Sequence, residues 1–238
     1  MLDQPQVSSG TNGVDADASR THAIITAVAL AGSALLVGVG GVVGPPSDGQ
    51  ATGLYDAASS APGRLTAEAA VLVLSSVLLV VGVIGAARVV LGRGRRLALA
   101  AALFGVMGAL GHVAYATFSL VTIKIVDAAP TRDAAIEILD SVNADVAVAL
   151  LVMPLILAYG LSVILLPIAF YRRRLVPLWV VGLAGLAFAL EVAAPGDVLV
   201  AAGVKYALAA ATATALAWRV ARLSDSEWRN PETIGERL

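Results

Sequence analysis

Long apolar runs alternate along the chain with short polar or arginine-bearing connections, and six of the runs approach the roughly 20 residues that a helix needs to cross a hydrocarbon core about 30 Å thick. They fall at about 23–43, 69–91, 97–121, 146–170, 175–194 and 198–218. Lipid offers no partner to an exposed N–H or C=O, so runs of this length predict helices. The expected fold is all-α: an integral membrane bundle of six transmembrane helices within residues 22–219, flanked by cytoplasmic tails at 1–21 and 220–238.

The positions of basic residues give an orientation, because lysine and arginine near span ends are retained on the cytoplasmic side. With both termini inside, the cytoplasm receives Arg20, then Arg88, Arg93, Arg95 and Arg96, then Arg172, Arg173 and Arg174, then Arg219, Arg222, Arg229 and Arg237. The outside receives only Arg64, Lys124 and Arg132. The first 21 residues are polar and lack the basic start of a secretory signal, and the apolar run after them is too long for a signal core, so they read as a disordered tail. Past span 6, Arg219 and Arg222 interleave with Trp218, Val220 and Leu223, the pattern of a short interfacial helix before a loose end.

Composition narrows the chemistry. Apolar residues make up 58% and charged residues 14% of the chain, far from the soluble balance of about a quarter charged. Cysteine is absent, which removes disulfides, thiolate metal sites and cysteine nucleophiles. A net charge of -1 with no basic face argues against nucleic acid. A metal or bis-histidine haem is not expected either, since the two histidines, His22 and His112, fall at opposite sides of the bilayer. No cofactor is implied. The outer loops carry an excess of acids, which positive-inside sorting explains without invoking cation selection.

Two outer connections read differently. Residues 44–68 begin with Pro45-Pro46 and are rich in Gly, Ser and Ala, which predicts irregular chain until about Thr66. After Pro130, the positions Ala135, Leu139, Val142 and Val146 recur at helical spacing, so the helix of span 4 is expected to begin outside the bilayer and lie over the outer mouth.

Candidate chemistry lies in spans 3, 5 and 6. Gly105, Gly108, His112, Tyr115, Ser119 and Thr122 alternate spacings of three and four and so share one helix face, which should meet protein or a wet cavity. Glu191 and Lys205 belong to consecutive spans joined at Pro195-Gly196-Asp197. Counted outward from Gly196, their axial offset is roughly 6 Å, so they should pair. Buried charges are paired or functional, and two uses are open: an ion pair pinning span 5 to span 6, or an outward cavity shared by His112, Tyr115, Ser119, Glu191 and Lys205 that takes an anionic or zwitterionic molecule or relays protons. Arg88, one turn from the end of span 2, can snorkel to the headgroups. Pro154 and Pro167 interrupt span 4 and offer a hinge.

A faint internal repeat sets Arg95 and Arg96 against Arg172 and Arg173, and the packing glycines Gly105 and Gly108 against Gly182 and Gly185. The stretch LAYGLSVILLPIAFYRRRLVPLWVVGLAGLAFAL, residues 157–190, joins a short basic loop, a proline three residues after the last arginine and a Gly-rich helix. It resembles a family of bacterial polytopic membrane proteins defined only as a domain of unknown function, common in actinobacteria and bacilli. The likeness covers about the last two thirds of the chain and implies six helices and residence in the bacterial plasma membrane, but no catalytic residue. The expected role is a non-enzymatic binding or accessory component with an outward-facing polar pocket, its partners the lipid bilayer and a membrane protein or a second copy of itself. A small transporter or channel subunit is the alternative, and would need a polar path through the inner half, where the chain offers mainly Ser75, Ser76, Tyr159, Ser162, Thr212 and Thr214. An intramembrane lipid-modifying enzyme comes third, resting on His112, Glu191 and Asp145.

Overall fold

In a computed structural model, residues 11–193 and 199–231 are described, with side chains from residue 18 and, in the last long helix, from residue 203. The described chain is helical and contains no strand. Helix α1 runs Thr11–Val43, α2 Ala51–Ser60, α3 Pro62–Val89, α4 Arg95–Ala128, α5 Arg132–Asn143, α6 Val146–Arg172, α7 Leu178–Ala193, α8 Leu199–Ala221 and α9 Asp225–Arg229. Four of them are long and apolar enough to cross a membrane: Ala18–Val43 within α1, then α3, α4 and α6. Their outward faces carry large apolar side chains, with Leu103, Leu151 and Val28 all more than 60% exposed. Water would not tolerate so much contiguous apolar surface, and the protein is membrane-embedded.

Of the other two expected spans, α7 has 16 residues. At 1.5 Å per residue that is about 24 Å, short of a hydrocarbon core, because Pro177 delays the helix to Leu178. Helix α8 has 23 residues. The turn at Pro195-Gly196-Asp197 lies outside the described residues. The apolar helices pack each on the next, α1 on α3, α3 on α4, α4 on α6, α6 on α7 and α7 on α8, and α8 returns to α1.

Close approach sets the registers. A Cβ on Gly82 would meet the backbone of Leu30 at 2.9 Å, fixing α1 on α3, and one on Gly108 would meet the backbone of Tyr159 at 2.6 Å, fixing α4 on α6. Two hydroxyls cross these seams: Ser75 Oγ donates to the Ser33 carbonyl at 3.0 Å and Ser162 Oγ to the Ala101 carbonyl at 2.8 Å. Such bonds add roughly 0.6 kcal/mol each in bilayers. The driest packing gathers at the arginine-rich end, where Val83, Ala86, Val89, Val90, Ala98, Ala101, Ala169, Phe170, Val180 and Val220 are sealed from solvent.

Several expectations change. Residues 11–21 are helical, extending α1 backwards from the expected span, while 1–10 lie outside the described residues. The connection at 44–68 is not irregular: α2 fills 51–60 and Pro62 starts α3 at the first helical position, where its missing N–H costs nothing. Helix α2 is held by a partner and not by its own pattern. Ala57 and Ala58 are buried in it, Arg132 of α5 reaches Asp56 at 3.2 Å and its guanidinium lies 5.3 Å from the Tyr55 ring. The segment after Pro130 is a separate helix, α5, whose N-cap Thr131 accepts from the Ala134 N–H and which buries Ala135 and Leu139 as expected. It breaks before Asp145, whose carboxylate caps α6 by accepting from Ala147 N–H at 2.7 Å, and Val146 is left exposed. Helices α2 and α5 thus pack on each other and on α4 at the acidic end. At the other end, Trp218 and Val220 belong to α8, and the short helix that follows is α9, started by a Ser224–Glu227 capping box, which turns Trp228 into the main core. Arg88 lies with its guanidinium 6.0 Å from that ring.

Candidate functional site

The polar side chains of the acidic half converge from five helices on one column. At its mouth, Arg64 of α3 donates through Nε to the Val43 carbonyl and through Nη2 to the Gly44 carbonyl, both at 2.9 Å, satisfying carbonyls that α1 leaves unpaired at its end. One helical turn deeper, the Glu68 carboxylate sits against Gly44, occupying the space a Cβ there would need. Tyr206 of α8 lies in the same way against Gly41. Glu68 and Tyr206 thus abut α1 within one turn of each other. Below them the His112 ring meets Tyr159 of α6 with centroids 4.6 Å apart and planes tilted by 51°, a favourable aromatic arrangement. His112 Nδ1 is buried with no hydrogen-bond partner.

The expected pair forms. Lys205 Nζ lies 2.7 Å from Glu191 Oε2, the lysine side chain 9% exposed and the glutamate 56%. Lys205 Nζ also lies 5.0 Å from the ring of its neighbour Tyr206, which links the ion pair to the tyrosine set against α1. Of the sequence candidates, Glu191 and Lys205 are brought together across α7 and α8, while His112 and Tyr115 share one face of α4. Ser119 stays on the same face, but its hydroxyl donates to the Tyr115 carbonyl at 3.1 Å within its own helix. Thr122 does the same toward Phe118 at 2.9 Å.

The packing glycines split. Gly105 lies against Ser162 and Val83, and Gly108 against Tyr159, as a close seam requires. Gly182 and Gly185 face open space, with nothing within 4 Å of a built Cβ, so among the described residues no helix packs against them as α6 does against Gly108. Sequence reasoning missed Glu68 and Tyr206 and assigned Tyr159 to the inner-half polar path, whereas its ring lies against His112. Glu68 was read as loop, and the two tyrosines stand on helices whose register with α4 no single-helix periodicity reveals.

The column ends near mid-bundle in a cavity of about 50 Å³, lined by Ser33, Tyr159, Ser162, Thr212 and Pro167. That is room for one or two waters. From Gly44 to Ser33 the column descends about 16 Å along α1. Leu79, Leu166 and Leu216, all buried, line the same cavity on its apolar side, next to the dry core. Four of the six hydroxyls that sequence offered as an inner polar path are already bonded to carbonyls: Ser75 to Ser33, Ser76 to Leu72, Ser162 to Ala101 and Thr212 to Leu208. Among the described residues no three of His, Asp and Glu gather as metal ligands do. Comparison with protein-family models, curated proteins and solved structures finds no match for this chain.

Proposed function

We propose that the chain is a six-span protein of the bacterial plasma membrane, both termini cytoplasmic, acting as a non-enzymatic binding or accessory component whose polar column opens to the outside. One observation carries the reading: acid, tyrosines, histidine and lysine–glutamate pair converge at one end and stop at mid-bundle, above a sealed apolar core. Such a vessel suits a small molecule with both charge signs, because the half-exposed Glu191 and Glu68 meet a cation while Lys205 and the tyrosine hydroxyls meet an anion. The orphaned His112 nitrogen is a ready donor or acceptor. Any protein partner would meet it through a lipid-facing helix such as α7, where exposed Gly182 and Gly185 permit close approach.

The small-transporter reading draws on one feature, the mid-bundle cavity beside Pro167, where α6 lacks a backbone donor and could bend. Both readings are separable because the chain has no cysteine. Single cysteines at Tyr115, Ser33, Leu166 and Arg172 are labelled with a membrane-impermeant maleimide in intact and permeabilised cells. The binding reading expects Tyr115→Cys to react from outside, Ser33→Cys slowly or not at all, Leu166→Cys from neither side, and Arg172→Cys only after permeabilisation. Reaction of Leu166→Cys favours the transporter. Reaction of Arg172→Cys in intact cells overturns the orientation and with it the binding proposal.

A further inference from the structure

The arginine-rich end carries a second concavity that the column does not use. A groove of about 630 Å³ opens there, walled by Arg93 from the α3–α4 connection and by Tyr171, Arg172, Arg174, Leu175 and Val176 from the end of α6. Three guanidinium groups and no carboxylate line it. Positive-inside sorting accounts for arginines in these connections, but not for their assembly into one hollow.

The backbone brings them together. Gly94 has φ 104°, and a Cβ there would strike the Ala169 carbonyl at 2.7 Å, so the α3–α4 connection is pressed onto the last turn of α6 and delivers Arg93 beside Arg172 and Arg174. Helix α6 ends in a Schellman motif: Leu175 N–H donates to the Phe170 carbonyl at 2.9 Å and Arg174 N–H to the Tyr171 carbonyl at 2.8 Å. The left-handed residue of that motif is Arg174, at φ 61°, where glycine is the usual occupant and a side chain is strained. A costly residue at this position, its side chain on the groove, is the mark of a functional requirement. Arg173 points elsewhere and donates through Nη2 to the Pro231 carbonyl at 2.7 Å, so the three consecutive arginines divide, one to the C-terminal segment and two to the groove. Leu175 and Val176 are buried at the groove's edge and Tyr171 is exposed, giving an apolar wall beside the charges at the level where helices leave the bilayer.

The geometry points to a binding site for an anionic glycerophospholipid: its phosphate is held by Arg93, Arg172 and Arg174, and its glycerol and first acyl carbons lie along Tyr171, Leu175 and Val176. Basic hollows at membrane-spanning helix ends hold such headgroups, and each guanidinium that meets the phosphate strengthens binding about fivefold, while those outside the hollow are screened by solvent. An anion there also relieves the mutual repulsion of three like charges. The inference requires only that the chain sits in a bilayer and is independent of the column.

The test uses the full chain purified in a neutral detergent, with phosphatidylglycerol, phosphatidylcholine and inorganic phosphate as probes, read by native mass spectrometry and thermal unfolding. Phosphatidylglycerol is expected to be retained and to raise Tm, phosphatidylcholine and phosphate not. Replacing Arg93, Arg172 and Arg174 by Gln together weakens retention about a hundredfold, whereas Arg95→Gln with Arg96→Gln, off the groove, leaves it within about threefold of wild type. Arg174→Gly separates binding from folding: it raises the lipid-free Tm by about 2–4 °C by removing the strain, yet lowers phosphatidylglycerol retention about fivefold. Equal retention of the two lipids, an unaffected triple variant, or stabilisation by phosphate matching that of the lipid would each overturn the assignment.

Discussion

The Glu191–Lys205 pair should respond unequally to loss of either partner, and the inequality can be worked from the structure. At 2.7 Å and an effective dielectric of about 20, the attraction is on the order of 6 kcal/mol, opposed by several kcal/mol of desolvation per ion. The desolvation is not shared equally, because the lysine side chain is 9% exposed and the glutamate 56%. Glu191→Gln strands a buried ammonium beside a neutral amide, with the neighbouring Tyr206 ring 5.0 Å away as its remaining electrostatic support. The cost is about 2–3 kcal/mol. Lys205→Met removes the buried charge, fills similar volume and leaves a carboxylate that solvent or headgroups can reach, so stability changes by about 1 kcal/mol or less. For a chain of this size each kcal/mol moves Tm by about 2–4 °C. Thermal unfolding in detergent, followed by tryptophan fluorescence, should therefore show Glu191→Gln melting about 4–12 °C early, Lys205→Met within about 4 °C of wild type, and the double variant beside Lys205→Met. If Lys205→Met melts as early as Glu191→Gln, or if the two losses simply add, the asymmetric-burial reasoning is wrong.

Two further perturbations follow from the packing. Gly108→Val must force α4 from the Tyr159 backbone, now 2.6 Å from the would-be Cβ, and should cost at least about 3 kcal/mol as an overpacked seam, seen as lost monodisperse protein on size-exclusion chromatography, whereas Gly182→Ala, facing open space, should elute and melt like wild type. Trp228→Ala empties a side chain that is 3% exposed in the main core and should cost about 3–5 kcal/mol, with α9 becoming open to protease; an unchanged melting curve would mean the C-terminal segment does not contribute to the fold.

The apolar helices were legible because bilayer thickness ties length to hydropathy, and that rule is insensitive to tertiary detail. The Glu191–Lys205 contact was legible for a similar reason, since two residues flanking one tight connection have few ways to avoid each other. What escaped depended on contacts made at a distance in sequence. Helix α2 has an Ala, Gly and Ser composition that predicts no structure alone, and forms because α5 covers it and Arg132 reaches Asp56. Gly182 and Gly185 match Gly105 and Gly108 in type and spacing, yet only the latter pair has a helix against it. A small residue permits close approach without supplying the neighbour.

The site was half legible, and the illegible half decides its character. A periodic stripe on α4 identified His112 and Tyr115, but their companions Glu68, Tyr159 and Tyr206 come from three other helices, fixed in register by the glycine contacts of α1 with α3 and of α4 with α6. Residue type alone also left the arginine-side half ambiguous, because Ser75, Ser76, Ser162 and Thr212 are as compatible with a hydrophilic path as with packing. Their hydrogen bonds separate the two uses. Each hydroxyl donates its one proton to a backbone carbonyl and keeps only acceptor lone pairs, and the leucines that line the cavity with them offer neither donor nor acceptor. The column at the opposite end keeps an unbonded histidine nitrogen and charged groups of both signs. Hydroxyl donors spent on the backbone at one end and unspent polar groups at the other are the asymmetry on which the proposal of a one-sided binding site rests, and the cysteine-labelling pattern is its test.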